Sequence, residues 1–265
     1  MAHTLQTNNL HSGYNQKPIL KDVNVSIPEG KISIIIGSNG CGKSTLLKTM
    51  ARLLKPTQGD VFLDGKSVYS IPSKQLARTI GLLPQSPIVP EGITVADLVG
   101  RGRFPHQTMF SSWSKKDYEA VSTALEMMNI MEFAESHIDE LSGGQRQRVW
   151  IAMALAQQTE ILFLDEPTTY LDITYQVEIL DLLKDLNEKY GTTIVMVLHD
   201  INLSARYADY LFAVKDGQLL AEGAPNDIIT NVLIKETFNL ECQVINDPIS
   251  NTPLILPISR HHHLK

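Results

Sequence analysis

Two cysteines in 265 residues are too few for a disulfide framework. One of them, Cys41, lies inside a glycine-rich run where a structural bridge would be badly placed. Both therefore read as free thiols of a reducing compartment. No stretch approaches the roughly 18–20 consecutive apolar residues that a membrane-spanning helix requires. The first residues, Met1-Ala-His-Thr4, lack the basic-then-apolar plan of a secretory leader, so none is expected. Positive charge is not in excess either. Lys and Arg number 23 against 29 Asp and Glu, a net charge of −6, which argues against a general nucleic-acid binder. No internal repeat or low-complexity segment occurs, and the three histidines at 261–263 read as a solvated tail because no further ligands cluster beside them. What is present is an apolar fraction of 43%, enough for one large domain or a core with an inserted subdomain.

The first thirty residues read as short strands and turns, with Pro28-Glu-Gly30 leading into the apolar run Ile32-Ser-Ile-Ile-Ile36. Such a continuous run suits a strand buried on both faces. Asp60-Val-Phe-Leu-Asp-Gly65 reads as a strand ending in an Asp-Gly turn. Beyond Pro87 and Pro90 the pattern turns mostly helical over residues 94–158, with Ser114 a capping candidate. Two more buried-strand signals follow. Ile161-Leu-Phe-Leu164 runs into Asp165-Glu166, and Ile194-Val-Met-Val-Leu198 runs into His199-Asp200. A helical subdomain inserted into an α/β core explains the switch of pattern. Ligands of open parallel sheets bind at the carboxyl ends of strands, so the polar residues after the three runs are expected to serve one crevice.

After Ile36 comes Gly37-Ser38-Asn39-Gly40-Cys41-Gly42-Lys43-Ser44-Thr45, followed by Leu46–Leu54 with helical spacing. This fits G-x-x-x-x-G-K-[ST] in strand–loop–helix context. Glycines let successive N–H groups and a helix N-terminus approach phosphate oxygens, Lys43 reaches the outer phosphates, and the Ser44 hydroxyl ligates Mg²⁺. A nucleoside triphosphate is the expected ligand. Asp165 is the expected second Mg²⁺ ligand. Glu166, pointing the other way along the strand, is better placed to polarise a water for attack on the γ-phosphate. Leu141-Ser142-Gly143-Gly144-Gln145 contains a capping box between Ser142 and Gln145, opening a helix with Val149, Ala152, Met153 and Ala156 on one face. The two glycines exceed what capping needs, since each lowers helix propensity by up to about 1 kcal/mol. They make sense if the backbone there must approach another group, a second anion site.

Taken together, Gly37–Thr45, Leu141–Gln145, Ile161–Glu166 and His199 resemble the ATP-binding subunit of an ABC transporter, over about Leu5 to Gly223. The resemblance implies a P-loop NTPase (RecA-like) α/β fold with a mostly parallel sheet, an N-terminal antiparallel β subdomain and an inserted α-helical subdomain. Residues 1–86 and 159–265 would form the nucleotide-binding core and residues 87–158 the insert. By the same resemblance Tyr14 stacks on adenine, Gln85 contacts Mg²⁺ and the attacking water, Asp172 belongs to an inter-subunit loop, and His199 contacts the γ-phosphate. Two copies, or this chain and a similar one, would dimerise head to tail, each ATP lying between one subunit's phosphate loop and the other's Leu141–Gln145. Polytopic membrane permease subunits and, indirectly, a substrate-binding protein are the implied partners, at the cytoplasmic face of a bacterial membrane. Gly100-Arg-Gly-Arg-Phe-Pro-His106, Thr168–Gln176 and Asp247-Pro248 with Pro253–Pro257 are similar to subunits of ferric-siderophore importers, with haem and vitamin B12 importers as near relatives. Without that resemblance, Arg101, Arg103 and His106 read as solvated loop residues. The alternatives are a soluble ABC ATPase of iron–sulfur assembly, or an importer ATPase for another substrate. A non-hydrolysing module is disfavoured by Glu166 and His199, and a kinase gives Leu141–Gln145 no role. A thiol reagent on Cys41 is expected to block ATP, and ATP to protect the thiol.

Overall fold

In the computed structural model, which describes residues 3–15, 17–85, 92–107 and 112–259, the chain opens with strands β1 (Leu5–Tyr14), β2 (Lys17–Val23), β3 (Ser26–Ile27) and β4 (Ile32–Ile36). Helix α1 (Lys43–Met50), β5 (Gln58–Leu63) and β6 (Lys66–Ser67) follow, then α2 (Ser73–Thr79) and β7 (Ile80–Leu83). Helices α3 (Val95–Gly100), α4 (Lys115–Met127) and α5 (Gly143–Ala156) come next, with a 3₁₀ turn over Arg101–His106. The chain continues through β8 (Ile161–Asp165), α6 (Ile173–Tyr190), β9 (Thr193–Val197), α7 (Ile201–Tyr207), β10 (Tyr210–Lys215) and β11 (Gln218–Gly223). It closes with α8 (Pro225–Ile228), α9 (Asn231–Phe238), β12 (Cys242–Asn246) and β13 (Pro253–Pro257). Residues 1–68 with 195–265 form one compact unit and 69–194 a second.

In the first unit, β1 pairs antiparallel with β2, β3 and β5, and β6 pairs with β5, giving the antiparallel N-terminal sheet. The β5–β6 turn is Asp64-Gly65, both residues at positive φ as a tight hairpin turn demands. β10 lies parallel to β4 and antiparallel to β11, in the order β11-β10-β4. Every residue of β4 is buried, which explains its unbroken apolar character. A separate hairpin, β12–β13, pairs Cys242 with Pro257 through Asn246 with Pro253.

In the second unit, β8 and β7 run parallel, with Ile161 to Leu164 opposite Ile80 to Leu83. Helices α3, α4 and α5 pack on one another beside them, so the helical pattern is realised among the described residues of 94–158. Both foreseen caps form. Ser114 and Asp117 make a capping box at α4, and Ser142 and Gln145 make one at α5. Arg103 is 4% exposed, which overturns the alternative reading of it as a solvated loop residue. Its Nε donates to Asp117 Oδ1 at 2.9 Å, and its guanidinium donates to Ala156 O at 2.7 Å and to Gln158 Oε1 at 2.9 Å. Asp117 also accepts from the Ser114 hydroxyl and amide, and these bonds together with Arg103 hold its pKa down to about 2. His106 is half-buried and hydrogen-bonded to the Gln157 carbonyl, burial pushing its pKa below the ordinary value. Among the described residues no helix is long and apolar enough to cross a membrane.

Candidate active site

In the first unit the glycine-rich loop leaves the buried end of β4, and α1 begins at Lys43, inside the motif rather than at Leu46. Gly37, Gly40 and Gly42 all have positive φ. A Cβ on Gly37 would sit 2.3 Å from the Val214 carbonyl oxygen and 2.6 Å from Cys41 Sγ, so only glycine lets the loop pass there. On Gly40 a Cβ would meet nothing within 4 Å, so the loop borders open space there. Lys43 is buried, and its Nζ donates to the carbonyls of Gly37 at 2.8 Å and Ser38 at 3.1 Å. Those bonds fold the ammonium group back over the loop. Gly217, in the β10–β11 turn, donates its N–H to the Cys41 carbonyl at 2.9 Å, a support that the motif does not advertise. Cys41 is buried, and burial outweighs the opposing charge of Lys43 to push its thiol pKa up. Cys41 and Cys242 are both free, as expected.

Tyr14 ends β1 and is 43% exposed. His199 is exposed two residues beyond β9, immediately before Asp200, whose carboxylate caps α7 by accepting from Leu203 N at 2.8 Å.

The second unit carries the other candidates. Asp165, the last residue of β8, is 1% exposed. Glu166 has φ 57 and lies past the strand end, so the backbone turn, not strand alternation, sets its direction. That replaces the reason given by sequence. Positive φ on a non-glycine residue stores strain that surrounding contacts must hold. They do so here: Gln85 Nε2 donates to Glu166 Oε2 at 2.5 Å, and Thr169 Oγ1 donates to the same oxygen at 3.1 Å. The Gln85 amide therefore rests on Glu166, and Thr169, to which the sequence assigned no catalytic role, joins the cluster.

Leu141 is buried, while Ser142 and Gly143 are exposed at the α5 N-terminus. A Cβ on Gly143 would meet open space, whereas one on Gly144 would press within 3.1 Å of the Tyr175 ring. Close backbone approach thus explains Gly144 inside the chain, and Gly143 faces outward. The Gln145 side chain is spent on the Ser142 amide at 2.9 Å. Asp172 caps α6 through Tyr175 N at 3.1 Å; beside it Tyr170 is 94% exposed at φ 66.

Ser44 in the first unit and Asp165 in the second each carry a hard oxygen, the donor type that Mg²⁺ takes, and among the described residues no three His, Cys, Asp or Glu side chains cluster to hold a metal by themselves.

Residues 20–169 match the family model described as ABC transporter. The chain is 52% identical to the petrobactin import ATP-binding protein of Bacillus anthracis, over 97% of this chain and 94% of that protein. It superposes on an inward-facing conformation of a metal-chelate type ABC transporter with a TM-score of 0.84 at 29% identity, covering 98% of this chain and 99% of that one. A dimeric post-hydrolysis state of an ATP-binding cassette bound to ADP and Pi matches with a TM-score of 0.72 at 32% identity, over 83% and 98%.

Proposed function

The chain belongs to the ABC transporter family, and on that premise we propose that it hydrolyses ATP to drive import of a ferric-siderophore-type chelate through membrane partners. Its fold is the α/β P-loop NTPase core with an N-terminal antiparallel sheet. The division into a core of residues 1–86 and 159–265 and a helical insert of 87–158 is retained as part of the proposal.

One observation carries the hydrolytic reading: the Glu166 carboxylate, turned off the end of β8, is gripped by Gln85 and Thr169. An oriented carboxylate next to a buried aspartate is what water activation for in-line attack requires. In this reading Ser38 to Gly42 offer backbone donors to the phosphates, Lys43 binds the outer phosphates, and Thr45 continues the first helical turn. Ser44 and Asp165 would hold Mg²⁺, with Gln85 beside it; the ion, when bound, neutralises charge on the β- and γ-oxygens. Glu166 takes the proton of the attacking water, His199 touches the γ-phosphate, and Tyr14 stacks on adenine. The exposed Ser142–Gly143 helix start serves the ATP of a second copy, whose head-to-tail pairing the dimeric cassette supports. Asp172 and its neighbours would lie along that pairing.

The cargo class rests on the chelate-import relatives, matched over nearly the whole chain. Working from the cytoplasmic face, the subunit would not touch the chelate, which a substrate-binding protein would deliver. Deletion of the gene tests the reading. Growth should fail on ferric siderophores as iron source and persist on abundant free iron, and tagged chain should co-purify polytopic subunits. Equal growth on both sources, or co-purification of soluble assembly factors alone, would overturn it.

A further inference from the structure

Helix α7 has seven residues, too short to hold its own position, since isolated helices below about 12–15 residues are marginal in water. Its placement must come from what it packs against. It also begins two residues after His199, with Asp200 between them as its cap, so the helix and the histidine backbone move together. Leu203, Ala205 and Tyr207 are buried, and so is Ser204, whose hydroxyl donates to the Asp200 carbonyl at 2.7 Å.

Two polar attachments of α7 go to the C-terminal hairpin. Asn202 meets Ile255 of β13 twice: Ile255 N donates to Asn202 Oδ1 at 2.7 Å, and Asn202 Nδ2 donates to Ile255 O at 3.2 Å. The side-chain amide thus does for the edge of β13 what a neighbouring strand's peptide would do. Four residues on, along the same stripe of the helix, Arg206 donates to Asp247 Oδ2 at 2.6 Å. Asp247 is 4% exposed and is the organiser of the hairpin turn. It accepts from Ile249 N at 3.0 Å and Ser250 Oγ at 2.7 Å, its own N–H donates to Thr252 O, and its carbonyl accepts from Asn251 N. The Ile249 amide, the Ser250 hydroxyl and Arg206 together hold its carboxyl far below the usual carboxylate range, so it stays ionised.

We propose that Asn202, Arg206 and Asp247 are positioning residues for His199, through which the β12–β13 hairpin sets the placement of the histidine for hydrolysis. The inference rests on His199 acting at the γ-phosphate. It gives the Asp247-Pro248 and Pro253–Pro257 segments a task that the catalytic motifs leave unassigned. Two fasteners at i and i+4 fix both the rotation and the tilt of a two-turn helix, and a small misplacement of a reacting group can cost up to about 10²-fold in rate.

The test is steady-state ATP hydrolysis by the full-length chain. Arg206→Ala and Asn202→Ala should each lower kcat about tenfold while KM for ATP changes less than about twofold, because the phosphate loop and Tyr14 are untouched. Arg206→Lys, which keeps a cation for Asp247, should recover most of the rate. In a His199→Ala background, where the histidine is already gone, adding Arg206→Ala should cost nothing further. The inference is overturned if neither alanine variant lowers kcat, or if Arg206→Ala costs the same factor with and without His199. If Arg206→Ala does not fold by circular dichroism, the same comparison made with Asn202→Ala decides. Wild-type turnover by His199→Ala itself would remove the histidine from its role and this inference with it. Loss there with no coupling to Arg206 would remove the inference alone.

Discussion

Replacing Arg103 by Met should destabilise the second unit far more than a surface arginine would. The guanidinium is enclosed, with side-chain exposures of 4% for Arg103 and 10% for Asp117. Removing it deletes the bonds to Asp117, Ala156 and Gln158 and leaves a buried carboxylate without its counter-charge. Breaking a buried pair from one side typically costs about 3–5 kcal/mol. Asp117 would still accept from the Ser114 hydroxyl and amide at 2.7 and 2.9 Å, which places the loss near the lower end, about 3 kcal/mol. Against a typical total of about 5–15 kcal/mol that is severe. A second change, Asp117→Asn, should recover part of it by discharging the orphan, though it weakens the α4 cap. Urea unfolding followed by tryptophan emission reads the right region, because Trp113 and Trp150 are the only tryptophans and both lie in the second unit. The pH dependence has a definite sign. Asp117 is held down to about 2 from 3.8, so its stabilising contribution is present above about pH 4 and is lost as pH falls towards 2. An Arg103→Met loss below about 1 kcal/mol, the ordinary cost of an exposed pair, would refute the account of this cluster.

Glu166→Gln should cut ATP turnover by about 10²–10⁴-fold, the usual contribution of a general base, yet keep nucleotide. Its amide oxygen can still accept from Gln85 and Thr169, and gel filtration with ATP should show a stable dimer; normal turnover would take Glu166 out of its role. Cys41 should react with a thiol reagent more slowly than a free peptide thiol, because burial keeps it protonated, and ATP should slow it further. Peptide mass spectrometry separates its labelling from that of Cys242, and fast labelling indifferent to ATP would contradict its burial within the loop.

The parts of the molecule legible in sequence are those fixed by near neighbours. The β4–loop–α1 passage, the Ser142–Gln145 capping box and the Asp64-Gly65 turn each depend on residues a few positions apart. Contacts between distant positions left no periodic trace. Arg103 reads as a solvated loop residue because its partners sit up to 55 positions away. The pairing of Gln85 with Glu166 crosses 81 positions, and that of Asn202 with Ile255 crosses 53. Glu166 looked like one more strand residue because positive φ outside glycine carries no sequence signature. Asp172, assigned by resemblance to an inter-subunit loop, also caps α6, a role legible from its place before Ile173 but masked by the motif.

In the proposed dimer, one copy's phosphate loop and another copy's Ser142 helix start share each ATP. Mixing Lys43→Ala with Ser142→Arg subunits, each inactive alone, tests it most directly. A mixed dimer then holds one intact site, made from the loop of the Ser142→Arg copy and the helix start of the Lys43→Ala copy. ATP hydrolysis should return in proportion to the mixed dimers formed. Mixed dimers confirmed by mass spectrometry that remain inactive would contradict the claim.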